Sequence, residues 1–413
     1  MALPSSPFHS DTTILVTCQK GIAPFLADEL RSLGYENLIQ HIAGVELRGT
    51  WSNALHLNMQ SRLGLRVLYL LGEFQADTAD DVYRGTHDIV WEDILDVTGY
   101  VSVVSSVKTE SITNTQFANV KCKDAIVDRI RSKRGARPDS GSDTSKAVIF
   151  LYWHGTRVMV YYDTSGAPLA QRGYRLQQHS APLKENLACA IIRATRWDYT
   201  SPLVNPMCGS GTLAIEAALM ANNIAPGLLR DNFSFMHTLL FQAKEWHIMR
   251  EEARNAVRTS VTEYHVSDHD PQAVEAARSN ARRAGVHTTM TFETTPFERC
   301  TVPPASASTS PIVILNPEYG IRMGTDEDLS EVYATIGDFF KQRCAGYWGY
   351  VFTGNIELGK RVGLKPKRRI PFFTADIECR LFEYELYAGT RRIIPHEEQK
   401  PLENDTAPLS QQE

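Results

Sequence analysis

Short apolar runs punctuate the chain. Thr13-Ile-Leu-Val16 and Gly44-Val-Glu-Leu-Arg48 read as strands, and Ala23 to Leu33 between them reads as a helix. The pattern then predicts a helix over 52–63, a strand over 67–71 and a strand with alternating faces over 100–107. Residues 121–133 read as helical because Cys122, Ile126 and Ile130 fall four apart on one side. Strands follow over 147–153 and 157–163. This opening region is a small α+β arrangement, and residues 166–180 read as an ordered connector.

From Ala181 the pattern changes. A helix over 183–196 leads into strands at 202–205, 263–267, 289–293, 311–316 and 347–353. These alternate with helices at 212–222, 240–259, 271–285 and 327–344. Strands alternating with helices predict a doubly wound parallel sheet, so the fold class is α/β with an α+β region ahead of it. Val302 to Pro311 reads as a loop, and the polar, acidic tail from 393 to 413 as disordered.

With 413 residues, 43% of them apolar, the chain has room for two or three domains with ordinary cores. No apolar run nears the roughly 20 residues of a membrane helix. The segment 1–11 is short, polar and Pro/Ser-rich, unlike a signal peptide, so a soluble cytoplasmic protein with no membrane partner is expected. Seven cysteines without a Cys-x-x-Cys pair suggest neither a zinc ribbon nor a disulfide framework. A net charge of −5 places any nucleic-acid binding in local patches. Two basic runs supply candidates: Lys121, Lys123, Arg129, Arg131, Lys133, Arg134 and Arg137, then Lys360, Arg361, Lys365, Lys367, Arg368 and Arg369. Each is either a solvated face or a phosphate track, and their concentration against an acidic background favours the track.

Two motifs carry chemistry. In Asn205-Pro206-Met-Cys208-Gly209-Ser-Gly211-Thr212 a buried strand meets a glycine turn and a helix, which makes a nucleotide-type site. The loop also fits G-x-G-x-x-A. A dinucleotide enzyme, however, needs a strand-end acid about 20 residues on, and Asp231 there lies in a Pro/Gly/Asn-rich loop. Asp268 and Asp270 end a later strand, where a carboxylate suits the ribose of a methyl donor; Asp270 also suits the cap of the helix that Pro271 begins. His265, Asp268 and His269 do not converge on a strand, so no metal is expected. Glu216 reads equally as a structural helix residue or a cofactor contact.

The second motif is Asn316-Pro317-Glu318-Tyr319, after a strand. An aromatic amine is a poor nucleophile, its lone pair being delocalised into the ring. The Asn316 side-chain oxygen and the Pro317 carbonyl can hold both amino hydrogens, and Tyr319 can stack on the base. Arg172-Gly-Tyr-Arg175 reads equally as an RNA or cofactor contact and as a hinge between domains.

From about Thr12 to Leu386 the chain resembles the THUMP-domain methyltransferases that use S-adenosylmethionine to make N2-methylguanosine in large-subunit ribosomal RNA. The resemblance rests on Ser61-Arg-Leu-Gly64, Lys121 to Val127, Arg172 to Arg175, Ala181-Pro-Leu-Lys-Glu185, Asn205 to Thr212, Ile215-Glu-Ala-Ala218, Ile224-Ala-Pro-Gly227 and Asn316 to Gly320. It implies a ferredoxin-like region over 12–54, a THUMP domain over 55–165 and a Rossmann-like class I methyltransferase domain over 181–392. It also implies S-adenosylmethionine as cofactor and 23S rRNA or its precursor as partner, with the base flipped into the clamp; Glu318, by its own chemistry, reads equally as a guanine selector and as a side chain turned to solvent. The basic residues Lys121, Lys123, Arg129, Lys133, Arg134, Arg172, Arg175, Lys367 and Arg368 would contact that RNA. Three positions depart from the family pattern: Asn205 replaces an aspartate, Glu318 replaces a second proline, and Phe292 to Phe297 lacks the acid expected at the adenine amine. A transfer RNA guanine-N2 methyltransferase and a catalytically weakened ribosome assembly factor remain as alternatives.

Overall fold

The computed structural model describes residues 11–112, 114–175, 183–306, 309–318, 326–374 and 377–387. The tail expected to be disordered, 393–413, lies outside the described residues. The N-terminal region runs β1 (Thr12–Thr17), α1 (Ala23–Ser32), β2 (Ile39–His41), β3 (Gly44–Gly49), α2 (Trp51–Gln60), β4 (Arg66–Gln75), α3 (Ala79–His87), β5 (Tyr100–Lys108), α4 (Thr115–Arg134), β6 (Asp139–Gly141), β7 (Ala147–His154) and β8 (Arg157–Asp163). The C-terminal region runs α5 (Glu185–Ala194), β9 (Leu203–Pro206), α6 (Thr212–Ala221), α7 (Ala243–Asn255), β10 (Tyr264–Asp268), α8 (Pro271–Arg283), β11 (Met290–Thr294), β12 (Ile312–Leu315), α9 (Asp326–Arg343), β13 (Trp348–Thr353), α10 (Ile356–Arg361), β14 (Arg368–Thr374) and β15 (Ile377–Glu385).

The first eight strands form one sheet, β2-β3-β1-β4-β8-β7-β5-β6. Antiparallel pairing of β4 with β8 joins the opening strands to those from β5 onward. Helix α4 lies on this sheet with Cys122, Ile126 and Ile130 buried, the side its spacing predicted. Helix α3 was not anticipated, although Thr78 accepts from Asp81 N–H and Asp81 returns the bond in a capping box.

The second sheet is β11-β10-β9-β12-β13-β15-β14. Strands β9 to β13 are parallel, as the alternation predicted, and the hairpin β14–β15 closes the sheet antiparallel. That hairpin was missed because Glu383, inside β15, breaks the apolar run. Its carboxylate is buried and held by Arg368, Arg196 and the Tyr350 hydroxyl.

The two regions are fastened together on two sides. On one, the Tyr162 hydroxyl of β8 donates to Ser234 O at 2.7 Å, and Val148 N–H of β7 donates to Ser234 Oγ at 2.9 Å. Gly227 packs so closely on α2 that a Cβ there would lie 2.6 Å from Met59 Cα, so no side chain fits. On the other, Phe25 of α1 stacks on Phe372 of β14, ring centroids 5.7 Å apart, and the Lys20 ammonium lies over Phe373.

Candidate active site

The parallel strands β9, β10 and β12 end along one edge, and the glycine loop leaves β9 there. Three residues of the loop have positive φ: Met207 at 57°, Gly209 at 51° and Gly211 at 80°. Met207 is the exception, since a side chain there carries backbone strain that the surroundings must hold. They do so from both sides. Cys208 N–H donates to Ser267 O, Gly209 N–H donates to Asp268 Oδ2 at 2.9 Å, and the buried Asn280 of α8 donates to Ser210 O at 3.1 Å. A Cβ on Gly211 would lie 2.9 Å from the Ala277 Cβ. The loop then starts α6 with no side-chain cap, so first-turn amides of Thr212 and its neighbours face the crevice as donors.

Asp268 and Asp270 have separate tasks. Asp268 accepts Gly209 N–H on one oxygen and Asp270 N–H, at 3.1 Å, on the other, so it shapes the loop. Asp270 caps α8, its Oδ1 accepting Gln272 N–H at 2.8 Å ahead of Pro271. This is the helix cap that Pro271 suggested, and it engages one of the two carboxylate oxygens. Among the described residues, no group of three His, Cys, Asp or Glu side chains is arranged to hold a metal ion.

Two buried acceptors in this crevice lack partners, Asn205 Oδ1 and Asn316 Oδ1. A buried amide oxygen without a donor costs roughly 1–3 kcal/mol unless water or a ligand serves it. Asn316 follows β12 directly, Pro317 is buried, and Glu318 is exposed. The Glu318 carbonyl accepts from Tyr333, whose hydroxyl also meets Thr353 Oγ1 at 2.7 Å. Tyr319 lies outside the described residues.

The Arg172–Arg175 segment divides. Arg172 is fully buried, donating to the carbonyls of Leu169 and Arg62 and standing 3.6 Å from Glu216. It cannot reach RNA, and the expectation that it does is corrected in favour of a joint between the two regions. Glu216 is structural as well: Tyr174 donates to its Oε1 at 3.0 Å and Cys189 to its Oε2 at 2.9 Å. Burial, with Glu216 adding to it, pushes both the Tyr174 hydroxyl and the Cys189 thiol well above their usual pKa. Arg175 instead reaches the crevice, donating to Thr212 Oγ1 at 3.0 Å, with Glu185 at 3.4 Å and its Nε buried and unpartnered. It serves the start of α6 rather than an outer surface.

The basic runs are largely neutralised. Arg129 makes a paired contact with Glu92 and donates to His87 O, and Arg368 holds the buried Glu383; both are structural, which corrects their assignment to a phosphate track. Lys121 pairs with Asp80, Lys123 with Asp124, Arg134 with Asp93 and Lys367 with Glu385. Lys133 and Arg137 are exposed.

Sheet order and loop together define a Rossmann-like domain with its ligand crevice at the carboxyl ends of β9, β10 and β12. A model of the RMKL-like methyltransferase domain matches residues 172–383, one of the THUMP domain residues 76–163, and one of the RlmL ferredoxin-like domain residues 13–68. The chain therefore belongs to the RMKL-like methyltransferase-domain family, with a ferredoxin-like unit and a THUMP domain ahead of the catalytic fold, as the resemblance read from its motifs implied.

Among its relatives, the ribosomal RNA large subunit methyltransferase K/L of Syntrophotalea carbinolica is 34% identical over 377 residues, 90% of this chain and 53% of that protein. The protein of the same name from Psychromonas ingrahamii is 38% identical over 372 residues, 89% of this chain and 49% of the relative. The chain spans about half the length of the curated relatives it matches. The crystal structure of SMU.472, described as a putative methyltransferase complexed with SAH, superposes with a TM-score of 0.80 at 26% identity, covering 92% of this chain and 99% of that one.

Proposed function

We propose that this chain binds S-adenosylmethionine in the crevice at the glycine loop and methylates RNA, its target the exocyclic N2 amine of a guanine in 23S rRNA or a precursor of it. The observation that carries the reading is the buried, unpartnered Oδ1 of Asn316 at the end of β12, beside the buried Pro317. The relatives' name, ribosomal RNA large subunit methyltransferase, and the SAH held by SMU.472 support the substrate and cofactor classes. The THUMP domain over 76–163 supports an RNA partner.

The residues fit such a cofactor. Asp268 holds the loop backbone in shape, Gly209 and Gly211 leave room for close approach, and the open first turn of α6 with Arg175 beside it favours a carboxylate. The cofactor supplies an already activated methyl group, so no covalent nucleophile is required of the protein. Asn316 Oδ1 and Pro317 O hold the two amino hydrogens, and Tyr319 stacks on the ring. The amine lone pair then faces the methyl carbon, and catalysis is mostly placement. Glu318, exposed beside the clamp, accepts from the N1–H of guanine and disfavours adenine, which has no proton there. The base must leave its stack to enter, at a cost of a few kcal/mol, which is lower in single-stranded or unfolded RNA. Work on a precursor in the cytoplasm follows. The proposed division is 12–54 as ferredoxin-like, 55–165 as THUMP, 166–180 as connector and 181–392 as catalytic.

The test is mass spectrometry of nucleosides from protein-free 23S rRNA incubated with S-adenosylmethionine and the purified chain. Appearance of N2-methylguanosine is expected. Methylation confined to transfer RNA would move the target, and calorimetry showing no cofactor binding would favour an assembly factor instead.

A further inference from the structure

The ladder between β9 and β12 stops early. Ile312 donates its N–H to Pro202 O, and the strands pair only at Ile312 with Leu203 and Val313 with Val204. In a parallel ladder the crossing bonds repeat every two residues, so the N–H due next at the Ile314 carbonyl is that of residue 206. Residue 206 is proline and has none. The missing donor comes from the neighbouring side chain: Asn205 Nδ2 stands 2.9 Å from Ile314 O. Only the nitrogen of an amide can serve a carbonyl. The bond therefore fixes which way round the amide lies, and its Oδ1 is left buried and without a donor.

We infer that Asn205 is a positioning residue that latches the donor loop to the amine clamp. Its Nδ2 replaces the ladder bond Pro206 cannot make and sets the place of β12 two residues ahead of Asn316, while its Oδ1 accepts an N–H of the bound methyl donor. The inference rests on the methyl-transfer reading. An aspartate at this position offers acceptors and no donor. It would attract a cationic donor more strongly, yet it would leave the Ile314 carbonyl unserved and set a negative charge against it. Asparagine exchanges charge for register.

The test compares wild type with Asn205→Asp and Asn205→Ser in three measurements: amide hydrogen exchange over 311–318 without ligand, calorimetry with S-adenosylmethionine, and kcat and KM on protein-free 23S rRNA. In Asn205→Asp, exchange over 312–316 should rise about tenfold relative to β10, cofactor affinity should hold or improve, and kcat should fall at least about tenfold, the scale of a small misplacement. Asn205→Ser should raise exchange likewise and also weaken cofactor binding. Unchanged exchange in the folded variant or variants overturns the latch, as does an Asn205→Asp protein with wild-type kcat. A wild type that binds no S-adenosylmethionine sinks the functional reading instead, and the ligand-free exchange still decides whether Asn205 holds β12.

Discussion

The hydroxyl of Tyr174 donates to Oε1 of Glu216 at 3.0 Å, a buried bond between the connector and the helix that the glycine loop begins. Arg172 lies 3.6 Å from the same carboxylate oxygen, and both charged side chains are fully buried. Arg172→Met should therefore destabilise the fold by about 3–5 kcal/mol, because it leaves the Glu216 charge buried and unpaired. Arg172→Met with Glu216→Gln should recover some of that loss. Urea denaturation of the three proteins measures both effects, and a single variant as stable as wild type would remove the pair from the joint.

Asn316→Ala should abolish methyl transfer while leaving S-adenosylmethionine affinity within about threefold of wild type, since its oxygen acts at the reacting amine alone. Calorimetry beside a single-turnover assay separates the two effects. Near-normal turnover would take Asn316 out of the mechanism.

Gly211→Ala should weaken cofactor binding and cost about 1 kcal/mol or more in stability. The φ of 80° disfavours any Cβ, and the added methyl meets Ala277 at 2.9 Å. Gly209→Ala shares only the first of these problems, since no atom lies within 4 Å of the point where its Cβ would stand. It should be the milder of the two in thermal unfolding.

Reversing charge at Lys133 and Arg137 should weaken RNA binding and lower the slope of log K against log salt by roughly 0.7–0.9 for each phosphate released. Arg129→Glu should act instead on stability, through its contact with Glu92. Filter binding over a salt series distinguishes them, and an equal slope in all proteins would leave these residues as a solvated face.

Asp198 makes the turn ahead of β9 a source of acid-dependent stability. Burial alone would raise its pKa, but bonds from the Ser201 hydroxyl and the Ser201 and Thr200 backbone N–H groups overcome that and hold it at about 2. A depressed carboxyl contributes stability above its unfolded pKa and loses it as pH falls through the folded one. The stability difference between wild type and Asp198→Asn should thus be full above about pH 4 and shrink toward pH 2. A difference independent of pH would show that the turn does not depend on the charge.

Much of this was legible in advance. The alternation from Ala181 onward located the parallel strands and the glycine loop to within a residue or two, because buried parallel strands are short apolar runs whatever their partners. Charge was the poor guide. Arg129, Arg172 and Arg368 look alike in sequence to the exposed Lys133, and only packing shows that each meets a buried or half-buried carboxylate. The capping box at Thr78 and Asp81 is a local signal for α3 that the apolar pattern alone does not carry. The strain at Met207 and the crossing of Asn205 to Ile314 had no such signal, since both depend on strands far apart in sequence.

The stacking of Phe25 on Phe372 has a mechanical consequence. It anchors the N-terminal region to the second sheet on the side opposite the Ser234 and Gly227 contacts. A body held at one place can hinge there, whereas a body held at two separated places cannot swing about either without breaking the other. On the proposed methyl-transfer reading, the distance from the THUMP domain to the crevice would then work as a ruler: an RNA gripped at one end would present to the clamp only the nucleotide that lies that far along its folded path.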